Sequence, residues 1–528
     1  MTVPKTALTE PAIAVPIGNA RVAIDEQSLL GLRAWALTAL LFLLPLVTYW
    51  PATFHDFGLR DDYSNLREAH EEPGTVVKFC ASHARPIYGW LLRATYGQTS
   101  SVQNLEWMRL LASLLLGAIA VVSFRGLRAL GWSVNSSLGF AVLLVLVPSA
   151  QVISAWAVGW PYAVAALLAF GAFFTVEGAM TQGLSAGAGR AIGQWALALA
   201  LMLVSALIYQ PSALFYVVPL AAGVIASRHR TLPQSARWAG LHLGFAAGTL
   251  ALAYGVMSVL YAAHVFVKSA RIAFEQQWAD KIFWFLGEPL PNALSLFVLN
   301  DNNERDHALY ITCAAIAGLI LLAGACLEWH RHGRARGILW TAALIGLPMF
   351  AYSVSMIASE RYATYRTILA MTAVLLCFLV ASVRTLTQSW NVNARRMLAA
   401  AVISLAVYCA QHHAYALIAV PQGNEWQLIE SGAKHVHLDG PRQRIFAIAS
   451  SPWDISTATI YHDEFGSISS NSEWVPREMF KRAMHDLHPE VANLDSRYDF
   501  ATGRTLPAGK RFDVIIDMHR LRQFYTNN

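Results

Sequence analysis

Long apolar blocks alternate with short polar stretches along most of this chain. Eleven such blocks fall at 31–50, 107–124, 138–155, 161–180, 192–209, 211–227, 238–262, 308–327, 337–357, 367–384 and 398–418. A helix of roughly 17–25 apolar residues crosses a hydrocarbon core. The pattern therefore predicts a polytopic α-helical membrane protein with about eleven transmembrane helices. One further stretch, 282–299, is apolar enough to span but carries Glu288, Pro289 and Pro291 at its middle. Prolines there break a straight helix and a carboxylate there is expensive in lipid, so this stretch reads as an interfacial or re-entrant segment. Beyond residue 420 the chain turns polar. Two strand-like runs, 444–450 and 512–518, flank a helical run near 476–487, which predicts a small C-terminal α/β domain. The chain thus divides into a polar tail, 1–30, a membrane part, 31–420, and a C-terminal domain, 421–528.

Composition sharpens the picture. The chain of 528 residues is 55% hydrophobic and only 14% charged, against roughly 25% charged in an ordinary soluble domain. This excludes a soluble enzyme, a coiled coil and a disordered protein. No Lys/Arg-dense tract interleaved with aromatics is present, so nucleic acid is not an expected partner. Cys313, Cys326, Cys377 and Cys409 lie in apolar blocks and Cys80 stands alone in a loop; neither a disulfide framework nor a CxxC metal knuckle can be built from them. No small-x-small cleavage site follows the first block, which reads as a retained anchor.

Charge distribution sets the orientation. Arg125 and Arg128, Arg190, Arg228, Arg230 and Arg237, Arg331, Arg334 and Arg336, and Arg384, Arg395 and Arg396 fall in one alternating set of loops. Those loops carry almost no acid, Glu328 excepted. Cytoplasmic loops are rich in Lys and Arg, so the N-terminus is expected in the cytoplasm. Loops 51–106 and 263–307 and the C-terminal domain are then expected on the outer face of the membrane.

The first outer loop carries the chemistry. It begins His55-Asp56-Phe57-Gly58-Leu59-Arg60-Asp61-Asp62-Tyr63-Ser64, continues through Arg67 and Glu68, and later reads Ser82-His83-Ala84-Arg85-Pro86. The segment 86–97 is amphipathic and aromatic, suited to a helix lying on the membrane surface. Two adjacent carboxylates and several arginines thus sit close to the depth of lipid headgroups. A transferase that uses a lipid-linked phosphate needs a carboxylate to take a proton from an acceptor hydroxyl and cations to hold the leaving phosphate. The plainer alternative is a set of solvated loop charges.

An acidic pair just beyond the first span, in a long outer loop followed by a surface helix, resembles the GT-C superfamily of membrane glycosyltransferases. Within it, Arg60-Asp61-Asp62-Tyr63-Ser64 with Arg67, Arg85-Pro86 and Tyr209-Gln210 is similar to the bacterial O-antigen glucosyltransferases. The resemblance implies a GT-C-like membrane domain and transfer of a sugar, a hexose such as glucose, from a polyprenyl-phosphate donor to a glycan or glycolipid acceptor. It implies Asp61 as the base, Asp62 as its orienting partner, and inversion at the anomeric carbon. No cofactor is implied beyond a divalent cation, used by some members, for which Asp61 and Asp62 are the available ligands.

Other expected site residues lie in the remaining outer segments. Arg361 and Arg366, in the short loop Ser359–Arg366, are candidates for the donor phosphate, with Arg85, Arg67, Lys268 and Arg271 behind them. Tyr63, Tyr209, Gln210, Trp156, Trp160 and Tyr362 are candidates for sugar or acceptor. Interface anchoring by aromatics and flanking arginines competes with each of these readings. The pairs His435/His437, His485/His488 and His412/His413 lack a third ligand at convincing spacing. A transporter or flippase of lipid-linked saccharides is the alternative function, and a polysaccharide polymerase or ligase a third. The transporter is disfavoured because the spans read as nearly free of buried charge and no internal repeat is evident.

Overall fold

The computed structural model describes residues 32–72, 74–182, 188–227, 231–302, 307–455 and 459–526. The polar tail 1–30 lies outside these residues, as do Arg228 and Arg230. The chain is a polytopic helical protein; among the described residues eight helices are long and apolar enough to cross a membrane, or nine if one bent pair counts as a single span.

The first long helix is α1 (Leu32–Thr53). Three short helices follow in the first loop: α2 (Asp61–Glu71), α3 (Thr75–Ser82) and α4 (Pro86–Tyr96). α5 (Leu105–Ala129) returns through the bundle against α1. The two backbones meet at Gly117, where any Cβ would lie 2.0 Å from the Phe42 carbonyl oxygen, so only glycine permits this approach. α6 (Val134–Leu144) and α7 (Pro148–Ala155) form the bent pair, at 51°. Pro148 disfavours helical geometry at the preceding residue, and the chain turns there.

α8 (Trp160–Gln182), α9 (Ala188–Ile208) and the short α10 (Gln210–Ala226) follow. α11 (Leu232–Ala262) opens with a Thr231/Gln234 capping box that satisfies its first free amides. The stretch around Glu288 is not a straight span. It forms α12 (Trp278–Gly287) and α13 (Pro289–Leu294), broken at Glu288.

α14 (His307–Ala351) runs continuously over two of the expected blocks, but Gly333 inside it has φ 80 and ψ 175. That conformation, which non-glycine residues rarely adopt, divides the helix in two. α15 (Ser353–Ile357), α16 (Leu369–Leu386) and α17 (Val392–Ala433) complete the helical part.

The C-terminal region holds β1 (Gln443–Ile448), α18 (Val475–Leu487), β2 (Tyr498–Gly503), β3 (Val514–Asp517) and α19 (Leu521–Thr526). The strands form one parallel sheet in the order β2-β1-β3. The strand-like runs at 444–450 and 512–518 correspond to β1 and β3. β2 was not expected: its segment YDFATG is short, half polar and at a sheet edge, where little apolar patterning is needed. One sheet face, with Ile445, Ala447, Tyr498 and Ile516, is buried on the side of α17 and α18. Glu425 of α17 anchors the region by accepting the Ser469 and Ser470 amides at 2.6 and 2.8 Å.

The spans are less apolar inside than their sequence suggests. Glu177 accepts from Trp238 Nε1 at 2.8 Å and lies 3.1 Å from His242 Nε2, while His242 Nδ1 meets the Tyr216 hydroxyl at 2.7 Å. His242 is fully buried.

Candidate functional site

The loop after α1 is shaped by a residue that the sequence did not single out. Arg109 of α5 is fully buried. It donates to the carbonyl oxygens of Thr53, Phe57 and His55 at 3.0, 2.9 and 2.7 Å and lies over the Phe57 ring at 4.2 Å. These bonds use backbone acceptors left free where α1 ends and fix the path of the chain into α2.

At the start of α2 the acidic pair divides its roles. Asp62 is completely buried. One of its oxygens accepts the Leu59 amide at 2.8 Å and the other the Tyr96 hydroxyl at 2.5 Å. Burial raises its carboxyl to about 7 against the opposing pull of both bonds and of Arg109. Asp61, one residue earlier, is reached by solvent, and among the described residues its carboxylate has no hydrogen-bond or ion-pair partner. Crowding by surrounding protein lifts its carboxyl above the ordinary range, and Asp463 adds to the rise, while Arg366, Arg60 and Arg271 oppose it. With Asp62 turned inward, the pair presents no chelating face for a divalent cation. Among the described residues no three His, Cys, Asp or Glu side chains are placed to hold a metal ion.

The groups around Asp61 come from four separate segments tied to one another. The 263–302 loop bonds to the first loop through the Ser269 amide and the Ser82 carbonyl at 3.0 Å, and to the 358–366 loop through Glu275 N to Ile357 O and Ser359 N to Ala273 O, both 2.8 Å. Lys281, buried, donates to the carbonyl oxygens of Ala358 and Glu360 at 2.7 and 2.8 Å. The C-terminal region reaches the first loop through Ser469 Oγ, which accepts the Arg60 amide at 2.9 Å.

Among the described residues six non-glycines have positive φ, and three of them immediately precede a site residue: Arg60 before Asp61, Ala84 before Arg85, and His462 before Asp463. Such backbone costs of order 1–3 kcal/mol and persists only where the surroundings over-determine it. They do so here. Ala84 is clamped by the Tyr261 hydroxyl on its amide at 3.0 Å and by Gln210 Nε2 on its carbonyl at 2.6 Å. His462 bonds Glu288 through Nε2 at 3.0 Å.

The expected cations now separate. Arg366 is not free for a phosphate. Its two terminal nitrogens meet both oxygens of Asp463 at 3.2 Å, Glu464 lies 3.3 Å away, and the guanidinium covers the Trp156 ring at 4.7 Å. Burial pushes Asp463 up, but Arg366 and Arg60, with hydrogen bonds from Arg366 and Tyr362, outweigh it and hold the carboxyl at about 2. Arg67 is likewise consumed, by Glu478 and Glu72, both at 2.7 Å; it joins α2 to α18. Arg361 makes only long contacts, to Glu275 at 3.6 Å and Gln277 at 3.5 Å. Lys268 is exposed and faces the Tyr254 and Phe274 rings at 5.9 and 6.0 Å. Arg271, 67% exposed, is 3.6 Å from Glu360 and within electrostatic reach of Asp61. Arg85 lies over the Tyr209 ring at 4.5 Å and makes a single long bond to Gln210 at 3.3 Å. Arg60, which the sequence reading passed over as a phosphate ligand, has a buried Nε without a partner among the described residues. Arg60 and Arg271 are therefore the least neutralised of the cations that act on Asp61, and Arg85, over Tyr209, has no carboxylate partner among the described residues.

The expected sugar-binding residues are mostly internal. Tyr63 is buried, stacks on Trp426 at 5.7 Å and accepts the Gly58 amide at 3.2 Å. Tyr209 is buried and stacked on Tyr162 at 4.0 Å, and Gln210 clamps the Ala84–Arg85 turn. Trp156 and Trp160 are buried, each with an indole N–H lacking a partner among the described residues. Only Tyr362 is exposed, its hydroxyl donating to Asp463 at 2.9 Å. Asp463, Glu464 and Arg109 left no local sequence signal, because their partners lie about a hundred or several hundred residues away along the chain or are backbone atoms. Comparison with known protein families and with curated proteins returns no match for this sequence.

Proposed function

We propose that the chain is a GT-C-like, polyprenyl-phosphate-dependent glycosyltransferase with eleven spans, working at the periplasmic face of a bacterial inner membrane. The observation that carries this reading is Asp61: an accessible, unpartnered carboxylate at a helix start, set among Arg60, Arg271 and Arg366. A carboxyl raised above the ordinary range is a stronger base than a free aspartate. Asp61 takes the proton of an acceptor hydroxyl. The acceptor oxygen attacks the anomeric carbon, and the bond to the prenyl phosphate breaks on the opposite face, so the sugar inverts. Arg60, Arg85 and Arg271 balance the charge gathering on the departing phosphate. Asp62 holds the turn that presents Asp61.

The test is Asp61→Asn, purified and supplied with a panel of prenyl-phosphate hexoses and a glycan acceptor. Release of prenyl phosphate is expected to fall at least ~100-fold, as for loss of a general base, with insertion and yield unchanged. Wild-type turnover by this variant rejects Asp61 as base.

One observation favours the second reading, a carrier of lipid-linked saccharides. The buried Glu177–His242 pair is an ionisable group inside the spans, a feature common in transporters. If lipid-linked saccharide crosses reconstituted vesicles without loss of its phosphate linkage, and Glu177→Gln stops it, the carrier reading replaces the transferase.

A further inference from the structure

The C-terminal sheet has a second face that the site around Asp61 does not use. α17 and α18 cover one face and tie it to the membrane part. The other, carrying Arg444 and Phe446 of β1 and Asp499 and Ala501 of β2, points away from those helices. A cleft of about 450 Å³ runs from this face round the free edge of β2 to Arg477 and Lys481 of α18, within the ~300–1,000 Å³ range of small-molecule sites.

Its lining is unusual in both charge and shape. Five cations border it against two carboxylates. Arg442 is paired with Asp499 at 2.7 Å and Lys481 with Asp495 at 2.5 Å. Arg444, Arg477 and Lys510 have no carboxylate partner among the described residues. Such a collection of uncompensated cations repels itself unless an anion joins it. The floor is aromatic. Phe446 and Phe512 pack at 4.9 Å and Arg444 lies over Phe512 at 5.2 Å, while Phe500 and Tyr498 border the cleft on the α18 side of the edge, against Phe480. Arginine forks recognise carboxylate and phosphate, and aromatic surfaces accept the C–H faces of a sugar ring.

We propose that this cleft binds an anionic saccharide, its uronate or phosphate group held by Arg444, Arg477 and Lys510 and its ring seated against Phe512. Arg444, Arg477 and Lys510 are all exposed at its border, and the ligand proposed is one that arrives from the aqueous side and not as a lipid headgroup. This deepens the transferase reading, on which it rests, by naming the acceptor's class: a glycan chain with anionic residues, gripped at a distance from the bond being made.

The experiment uses the full chain in detergent micelles and measures binding of trigalacturonate, maltotriose, glycerol 3-phosphate and inorganic phosphate. Trigalacturonate is expected to bind, with affinity falling severalfold between ~50 and ~300 mM salt as screening grows, and maltotriose to bind far more weakly. Arg444→Ala with Lys510→Ala is expected to weaken trigalacturonate at least tenfold, and Arg477→Ala, on the opposite wall, to weaken it independently. Equal binding of trigalacturonate and either small phosphate overturns the saccharide and leaves an unspecific anion site or a headgroup site. Trigalacturonate binding unmoved in both variants overturns the cleft. Asp61→Asn is expected to bind trigalacturonate as the wild type does. A wild-type protein that transfers sugar yet binds no trigalacturonate defeats this inference alone, and one that binds but never transfers defeats the transferase reading alone.

Discussion

Asp62 offers the sharpest test of how the acidic pair is divided. Its two oxygens receive one amide N–H and one tyrosine O–H in a fully buried setting. Asparagine suits the same place. Its amide oxygen accepts from Leu59, and its NH2 donates to the Tyr96 oxygen once that hydroxyl rotates. The two bonds survive while the ionisable group is gone. Burial raises the wild-type carboxyl from 3.8 to about 7. At 1.36 kcal/mol for each unit that is ~4 kcal/mol. This stabilisation is complete below pH 3.8 and is lost progressively as pH rises through about 7, because the fold prefers the protonated acid. Asp62→Asn is therefore expected to flatten the pH dependence of stability by several kcal/mol between about pH 4 and pH 8. Asp62→Ala instead leaves two buried donors unpaired at ~1–3 kcal/mol each, a loss of ~2–6 kcal/mol. The assay is unfolding in detergent micelles followed by tryptophan fluorescence across that pH range, with prenyl-phosphate release measured alongside. Asp62→Asn is expected to keep sugar transfer, whereas Asp61→Asn loses it. A pH dependence in Asp62→Asn identical to that of the wild type refutes the assignment, as does an alanine variant of undiminished stability.

Three further outcomes follow from the same geometry. Arg85→Ala removes a cation that carries little structure, so the KM for the prenyl-phosphate donor is expected to rise at least tenfold with unfolding unchanged; an unaltered donor KM removes Arg85 from the phosphate site. Arg366→Ala leaves Asp463 and Glu464 facing each other without their shared partner, with an expected cost of ~3–5 kcal/mol, whereas Arg361→Ala, whose contacts are long, is expected to cost under ~1 kcal/mol; equal destabilisation by the two counts against Arg366 as the joint between the 358–366 loop and the C-terminal region. Arg109→Ala strips three backbone carbonyls of their donor and is expected to lower stability by ~3 kcal/mol or more and to abolish transfer through loss of the loop's path, measured by unfolding and by activity; retention of both shows that α2 is positioned otherwise.

The sequence by itself determined the class of the molecule, because a membrane-spanning helix is a local property: about twenty apolar residues in a row must satisfy their own backbone, wherever their neighbours lie. The break at Glu288–Pro289 was legible for the same reason, and the position of Asp61 just beyond the end of α1 could be read directly along the chain. Sequence failed wherever a residue's role depends on a partner far along the chain. Asp61 and Asp62 are adjacent and chemically alike, yet only packing against Tyr96 and Leu59 buries one and leaves the other open. Arg366 reads as a free cation until Asp463 and Glu464 arrive from the C-terminal region, and Arg67 until Glu478 does. Charge compensation is a pairwise, through-space effect, and a linear pattern contains no record of which pairs will meet.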